Sequence, residues 1–465
     1  METLQRTANR GSISTGYDID NSLKLEADNS EYLERDPSSA GNRKLFTTSM
    51  WVKRTEIGQA STIFGVQPAS SGSDANTFQF GFTSGDKFQC GLQTFYALQS
   101  NRLFRDTSAW YHIVVAVDTT QSTAANRIKL YVNGVQETSF SIQATITQDS
   151  DLGINFTEPH RIGTLLSNSW YFSGYIAEMN HIDGQTLTPT DFGEFDSDTG
   201  IWKPKAYAGS YGTNGFYLDF ESSGSLGADS SGNSNNFTLN NITSADQATD
   251  TPTNNFCTLN PLMTNAGSTN YLTVTEGGTK GVNAAAAYKI SNSSIGLSSG
   301  KWYWEVKATD VNGVTAIGVT MPNYWDADYT LQGCIYYAQG PQRYNNASAS
   351  SFGSGYSDGD IISFALDMDA TPPTMEVYKN NSSEGNLMAG LSINGTGGAF
   401  LPEKKDFYFP KIVGYNANTF ECNFGGYTSF SISSAESDAN GYGNFEYAPP
   451  SGYYAICTKN LAEDG

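Results

Sequence analysis

The stretch Trp110–Gln136, WYHIVVAVDTTQSTAANRIKLYVNGVQ, decides how the chain is read. Ile113, Val115 and Val117 alternate with Val114 and Ala116, so both faces of that run are apolar. A short, β-branched run that is apolar on both faces predicts a strand buried between two layers. Beyond a polar loop, Ile128, Leu130 and Val132 alternate with Arg127, Lys129 and Tyr131, the pattern of a strand with one core face. Asn133-Gly134 supplies the two positive-φ residues of a type I′ turn, and Val135 opens the next strand. The same hairpin logic returns in Gly359–Asn381, GDIISFALDMDATPPTMEVYKNN. Two such hairpins far apart predict two β-sandwiches in one chain.

The composition agrees. Charged residues are 16% of 465, while Gly, Ser, Thr, Asn and aromatics are abundant. Many short strands joined by polar turns produce that balance, and no helical period runs beyond about three turns. The formal net charge of −21 argues against nucleic acid, whose phosphates need a basic surface. No run of about 18 apolar residues is present to insert in a membrane as a helix. The N-terminal METLQRTANRGSISTGY lacks the apolar core of a signal peptide, so synthesis in a cytosol without export by that route is expected. Cys90, Cys257, Cys334, Cys422 and Cys457 are an odd number without a close pair, and read as buried, reduced thiols.

Along the chain, residues 1–20 are a polar arm, flexible or ordered by docking on a larger assembly. Strands are expected at Ser22–Leu25, Glu31–Leu33, Phe46–Lys53, Thr62–Val66, Thr77–Phe82 and Lys87–Gly91. After the central hairpin they continue at Arg161–Thr164, Trp170–Asn180 and Gly215–Phe220, with one short helix in Leu187–Phe195. Residues 222–255 are almost free of large apolar side chains and read as a linker, pinned in part through Phe237 and Leu239. A second domain, 256–430, opens its main strands at Lys301–Val306 (KWYWEV) and Thr315–Thr320 and closes at Phe407–Gly414 and Thr419–Gly425. Residues 431–465 form a tail apolar enough to pack back on that domain.

The phrases FTTSMWVKR, WYHIVVAVD…RIKLYVNGVQ, HRIG and YFSGYIAEMNHIDGQTL, in that order, resemble a concanavalin A-like, laminin-G-type jelly-roll over residues 21–221. GKWYWEV, AIGV, the second hairpin and FYFPKIVGYNANTFECNFG resemble a SPRY domain, with Asn380-Asn381 standing where Asn-Gly is expected. Asn tolerates the left-handed region, so that turn survives. DNSLKLEADNSEYL, SSAGNRK, WYHIVVAVDTTQ, YGTNGFYLDF and DSSGNSNN resemble tail-fibre and virion structural proteins of marine bacteriophages. That resemblance implies a virion component made in the host cytoplasm and exposed on the particle, of tail-fibre or appendage type. It implies host surface carbohydrate or receptor as ligand, other virion proteins as partners of the N-terminal arm, and a homo-oligomer, by family habit a trimer. A capsid or tail decoration protein without a ligand is the second reading, and a glycan hydrolase a remote third.

The sequence offers no catalytic set. Some concanavalin-like enzymes carry Glu-x-Asp-x-x-Glu on one strand, whereas this chain has Glu178-Met-Asn-His-Ile-Asp183, in which Asn180 cannot act as an acid and Asp183 is out of phase. Glu178 and the histidines His112, His160 and His181 read as structural. No phosphate loop or metal motif is present, and the chain reads as a non-enzyme. No cofactor is expected; Asp229–Asn236 and Asp196–Asp198 are the oxygen-rich loops where calcium would be sought. The candidate binding residues are Tyr324, Trp325, Asp326, Asp328, Tyr329, Tyr336, Tyr337, Arg343 and Tyr344. Rings beside Asp and Asn give a sugar a flat face to stack on and polar groups for its hydroxyls, and also suit a protein hot spot.

Overall fold

The computed structural model describes residues 16–68, 76–92, 96–165, 169–262, 270–321, 333–345, 348–390 and 407–465. The chain divides into two compact units, 14–254 and 255–465. Both are built of antiparallel sheets, and the one α-helix among the described residues is Thr458–Glu463.

In chain order the strands of the first unit are β1 (Ser22–Leu25), β2 (Tyr32–Arg35), β3 (Leu45–Arg54), β4 (Ser61–Val66), β5 (Phe78–Phe82) and β6 (Lys87–Gly91). Then come β7 (Tyr96–Leu103), β8 (Trp110–Asp118), β9 (Ile128–Val132), β10 (Val135–Gln136), β11 (Phe140–Gln143) and β12 (His160–Ile162). The last six are β13 (Gly174–Asp183), β14 (Gly193–Phe195), β15 (Trp202–Pro204), β16 (Phe216–Leu218), β17 (Thr238–Asn240) and β18 (Gln247–Ala248). One sheet runs β10-β9-β8-β3-β13-β1-β18, with β16 also on β13; the other runs β11-β7-β6-β5-β4-β12-β2-β17. Their facing sides bury one core, which includes Phe46, Val52, Phe64, Phe80, Ile113, Val115, Val117 and Ile176.

The apolar second face of β8 has its own cover. Val114 packs with Ile182 and Phe192, under Tyr131, Leu187, Tyr207 and Tyr211. The segment that makes this third layer was expected to hold a short helix. It forms a single 3-10 turn, Pro189–Asp191, opened by Thr188 and Asp191 in a capping box, and then the β14–β15 hairpin. Trp170–Phe172, expected inside a strand, precede β13; Trp170 has φ +62 and is 40% exposed, and only Phe172 enters the core.

Residues 222–255, expected as a linker, belong almost wholly to this unit. They supply β17 to one sheet and β18 to the other. They also bring two buried carboxylates: Asp246 lies 2.8 Å from the Lys24 ammonium, which Glu31 also engages, and Asp250 lies 2.6 Å from that of Lys53. Both lysines are buried, so each requires its anion in place.

The second unit has β19 (Thr273–Thr275), β20 (Lys280–Asn283), β21 (Tyr288–Asn292), β22 (Lys301–Asp310), β23 (Val314–Thr320), β24 (Cys334–Tyr337) and β25 (Gln342–Asn345). It continues with β26 (Ser348–Ser351), β27 (Ile361–Asp367), β28 (Thr374–Lys379), β29 (Ser382–Asn386), β30 (Phe409–Tyr415), β31 (Asn418–Asn423) and β32 (Tyr454–Ala455). One sheet runs β19-β20-β31-β22-β27-β28-β29, with β32 parallel to β22; the other runs β21-β30-β23-β24-β25-β26. Trp302, Trp304, Val306, Ile317, Val319, Phe364, Ile412 and Phe420 are in the core between them. Asn380 and Asn381 take φ +47 and +67, close to Asn133 and Gly134 at +47 and +80, so both hairpins turn the same way. The tail lies on the outer side of β22, where Phe445 meets the Tyr303 ring edge-on and the backbone N–H groups of Glu446 and Tyr447 donate to the buried Glu305.

Candidate ligand-binding site

Alternation along β24 and β25 separates the candidate residues. Tyr336 is paired with Arg343, and Ile335 with Tyr344, so each pair shares a face. Tyr336 points inward and is not exposed; its ring packs on Phe352 and Tyr356 and its hydroxyl donates to Glu384. Burial pushes that phenol up to about 12. Arg343 donates to the Leu387 carbonyl at 2.7 Å and to Ser350 Oγ at 3.0 Å. Tyr336, expected at a binding surface, is thus part of the core, while Arg343 is half-buried and tied to the sheet. Tyr324, Trp325, Asp326, Asp328 and Tyr329 lie outside the described residues.

Tyr337 and Tyr344 face the other way and meet edge to face, with ring centroids 5.6 Å apart. Under them lies a closed apolar floor of Ile290, Ala316, Ile335 and Val413, each at most 4% exposed. The register builds that floor: Ile290 opposes Val413, Val413 opposes Ala316, and Ala316 opposes Tyr337. Tyr271 and Tyr288 pack on the same floor, and Tyr288 opposes Tyr415 with ring centroids 4.8 Å apart. All five tyrosines are half-buried. Three of them escaped the sequence reading because they sit on segments far apart in the chain. The signal was there in the period: Tyr288-Lys-Ile290 and Val413-Gly-Tyr415 each put a tyrosine two residues from an apolar floor position.

The next row of this face is polar. Lys411 opposes Asn292 on one side and Gly318 on the other, and burial lowers its ammonium pKa to about 7. The side-chain amide of Asn292 has no hydrogen-bond partner on either atom among the described residues, nor has Thr320 Oγ1. The face therefore offers flat rings with phenol hydroxyls, grading into buried polar groups. Such a surface can stack on a ring and bond to its hydroxyls; among the described residues it holds no nucleophile with an adjacent base.

In the first unit the histidines are tied into the fold. His112 Nδ1 accepts from Trp202 Nε1 at 3.0 Å, which leaves Nε2 as the donor to Ser49 Oγ. His160 Nε2 accepts from the Asn155 backbone N–H, and His181 Nε2 donates to Asn155 Oδ1. Burial lowers all three imidazole pKa values, His112 and His160 to about 3, so they are neutral. Glu178 sits on a bulge of β13 against β3, with φ +50, and accepts the hydroxyls of Tyr17 at 2.9 Å and Tyr217 at 2.5 Å. Burial raises its carboxyl pKa to about 7. Asp183 is engaged separately, by the backbone N–H groups of Asn42 and Asn214.

The two oxygen-rich loops satisfy themselves. Asp229 accepts the N–H groups of Tyr217, Ser231 and Asn235 and the Ser231 hydroxyl, while Arg35 donates to Asn235 Oδ1. Asp196 accepts from Asp198 and Thr199 and faces Lys203. Both are turns in which the side chain bonds its own backbone. Among the described residues no three His, Cys, Asp or Glu side chains converge as for a metal ion.

The first unit is thus a concanavalin A-like jelly-roll: residues 27–191 match the family model described as the concanavalin A-like lectin/glucanases superfamily. No curated protein matches the chain. Among solved structures, the SPRY domain of human HERC1 is similar at 18% identity, over 32% of this chain and 89% of that one, with a TM-score of 0.26. The native heptameric SAP-like pentraxin from Limulus polyphemus is similar at 16% identity, over 37% of this chain and 80% of that one, also with a TM-score of 0.26.

Proposed function

We propose that this chain is a surface protein of a bacteriophage particle, of the tail-fibre or appendage kind, that binds a host surface glycan without cleaving it. The observation that carries the binding reading is the tyrosine face of the second unit, five rings of which four pack on one apolar floor. A sugar ring stacks on such rings through its C–H face while its hydroxyls reach the phenols and the polar row beyond. Each contact is weak, and several copies on one particle multiply them. The phage setting is supported by the resemblance of the chain's phrases, and the absence of cleavage by the structural engagement of Glu178 and the three histidines.

The test is binding of the purified chain to host-derived polysaccharides by calorimetry, with product analysis alongside. Wild type is expected to bind, Tyr337→Ala and Tyr344→Ala to weaken binding by at least about tenfold each, and no sugar to be released. Failure of wild type to bind any host polysaccharide overturns the glycan reading. Release of oligosaccharide overturns the non-enzymatic one.

A further inference from the structure

Ahead of β1, residues 16–21 lie on the first unit without joining a sheet. Ile19 anchors them: its side chain is buried, its N–H donates to Thr253 Oγ1 at 3.1 Å, and its carbonyl accepts the Thr253 hydroxyl at 2.9 Å. Two residues earlier, Tyr17 reaches across to β13, where its hydroxyl stands 2.9 Å from Glu178 Oε2 and 3.0 Å from the Tyr217 hydroxyl. Tyr217 stands 2.5 Å from Glu178 Oε1, so the three groups close a triangle.

Each side of that triangle needs one proton. Two come from the phenols, and the third is there only when the carboxyl is protonated. As the acid, Glu178 donates to Tyr217, Tyr217 donates to Tyr17, and Tyr17 donates back to Glu178, so every contact is a hydrogen bond. As a carboxylate, Glu178 accepts both hydroxyls, and the two phenol oxygens then face each other at 3.0 Å with no hydrogen between them. The charge is also badly placed. Asp219 and Glu221 act on it, Tyr217 is backed by the stacked ring of Tyr211, and the neighbouring strands bring uncharged residues, Ser49, Met50 and Trp51 from β3 and Ser22 and Leu23 from β1. Tyr217 is fixed on β16, where it pairs with Asn180 and its N–H donates to Asp229. Tyr17 is on no strand, so it is the member free to leave.

We propose that Tyr17 is a pH-sensitive latch for the segment ahead of β1, closed while Glu178 carries its proton; when the carboxyl ionises, Tyr17 swings out about Ile19 and admits water to the charge. Linkage gives the direction. With Tyr17 docked the carboxyl titrates near 7, and 4.5 is the ordinary value in water. The closed state holds one proton more between those values. Closure is therefore fully favoured below about pH 4.5 and weakens as pH rises through 7, by at most roughly 300-fold.

The experiment is limited chymotrypsin digestion of the full chain from pH 5.5 to 8.5, following by mass the loss of residues 1–17. Cleavage after Tyr17 needs that side chain and its backbone off the sheet, and a free peptide of residues 12–24 supplies the protease's own pH dependence. Relative to the peptide, wild type is expected to be cut at least about tenfold faster at pH 8.5 than at 5.5. Glu178→Gln, whose amide both donates and accepts, is expected to keep the triangle closed and to be cut slowly at every pH. Tyr17→Phe keeps a ring that chymotrypsin accepts and breaks the triangle, so it is expected to be cut fast throughout. A wild-type ratio that stays flat, or falls as pH rises, overturns the proposal. So does a step that survives in Glu178→Gln, slow cutting of Tyr17→Phe at pH 5.5, or a parallel rise in cuts elsewhere in the first unit, which would mark opening of the whole fold.

Discussion

Glu178 combines a left-handed backbone with a buried carboxyl, and each has a cost. An L-residue at φ +50 is disfavoured by roughly 1 kcal/mol. Burial keeps the proton on, with help from Asp219 and Glu221 and against the hydroxyls of Tyr217 and Tyr17, so the carboxyl titrates near 7 where 4.5 is ordinary. The unfolded chain loses this proton at the lower value, so the folded state holds one proton more between the two. Stability from this group is therefore whole below about pH 4.5, falls as pH rises, and is lowest above 7, by at most about 3 kcal/mol. Glu178→Gln keeps an acceptor and cannot ionise. Its melting temperature should decline less than that of wild type from pH 5 to 8, and equal declines would refute the assignment. Tyr336 and Tyr337 make a second contrast, adjacent in sequence and opposite in consequence. Tyr336→Ala empties a core site and should destabilise the second unit by about 3–5 kcal/mol, whereas half-buried Tyr337→Ala should cost far less and show its loss in binding.

Elements differ in how much of them the sequence discloses. β3, β8, β22 and β27 announce themselves because they are long, rich in apolar and aromatic residues and buried on both faces along most of their length, and both hairpins because Asn133-Gly134 and Asn380-Asn381 accept positive φ. At the second turn, Asn381→Gly removes the remaining penalty at φ +67 and should raise unfolding free energy by a few tenths to about 1 kcal/mol, measured by denaturant unfolding. A decrease would mean that the Asn381 side chain itself holds the turn. Strands such as β11, β17, β18 and β26 were not legible, being short, polar and at or near sheet edges, where backbone pairing alone defines them. Residues 222–255 misled for a related reason: they bury only a few apolar side chains, Leu226, Phe237 and Ile242, beside Asp246 and Asp250, and composition reads acidic residues as solvent-facing. The binding face was half legible. Tyr337 and Tyr344 stand in an aromatic-rich stretch, while Tyr271, Tyr288 and Tyr415 join them only through strand order.

For the whole molecule, the division at 254/255 predicts which fragments fold. Residues 14–254 and 255–465, produced separately, should each give cooperative melting. A fragment ending at residue 221 keeps the matched family region, yet strips Lys24 of Asp246 and Lys53 of its carboxylate partner Asp250. Breaking a buried pair costs about 3–5 kcal/mol, so losing one partner from each should leave that fragment unfolded in circular dichroism and thermal melts. A folded fragment ending at 221 would show that these ion pairs are dispensable. The same closure sets a schedule for synthesis. Lys24 and Lys53 leave the ribosome early and Asp246 and Asp250 late, so the nascent jelly-roll lacks these two carboxylates until its last thirty or so residues, about one-eighth of the unit, have emerged. Translation is by then already into the second unit.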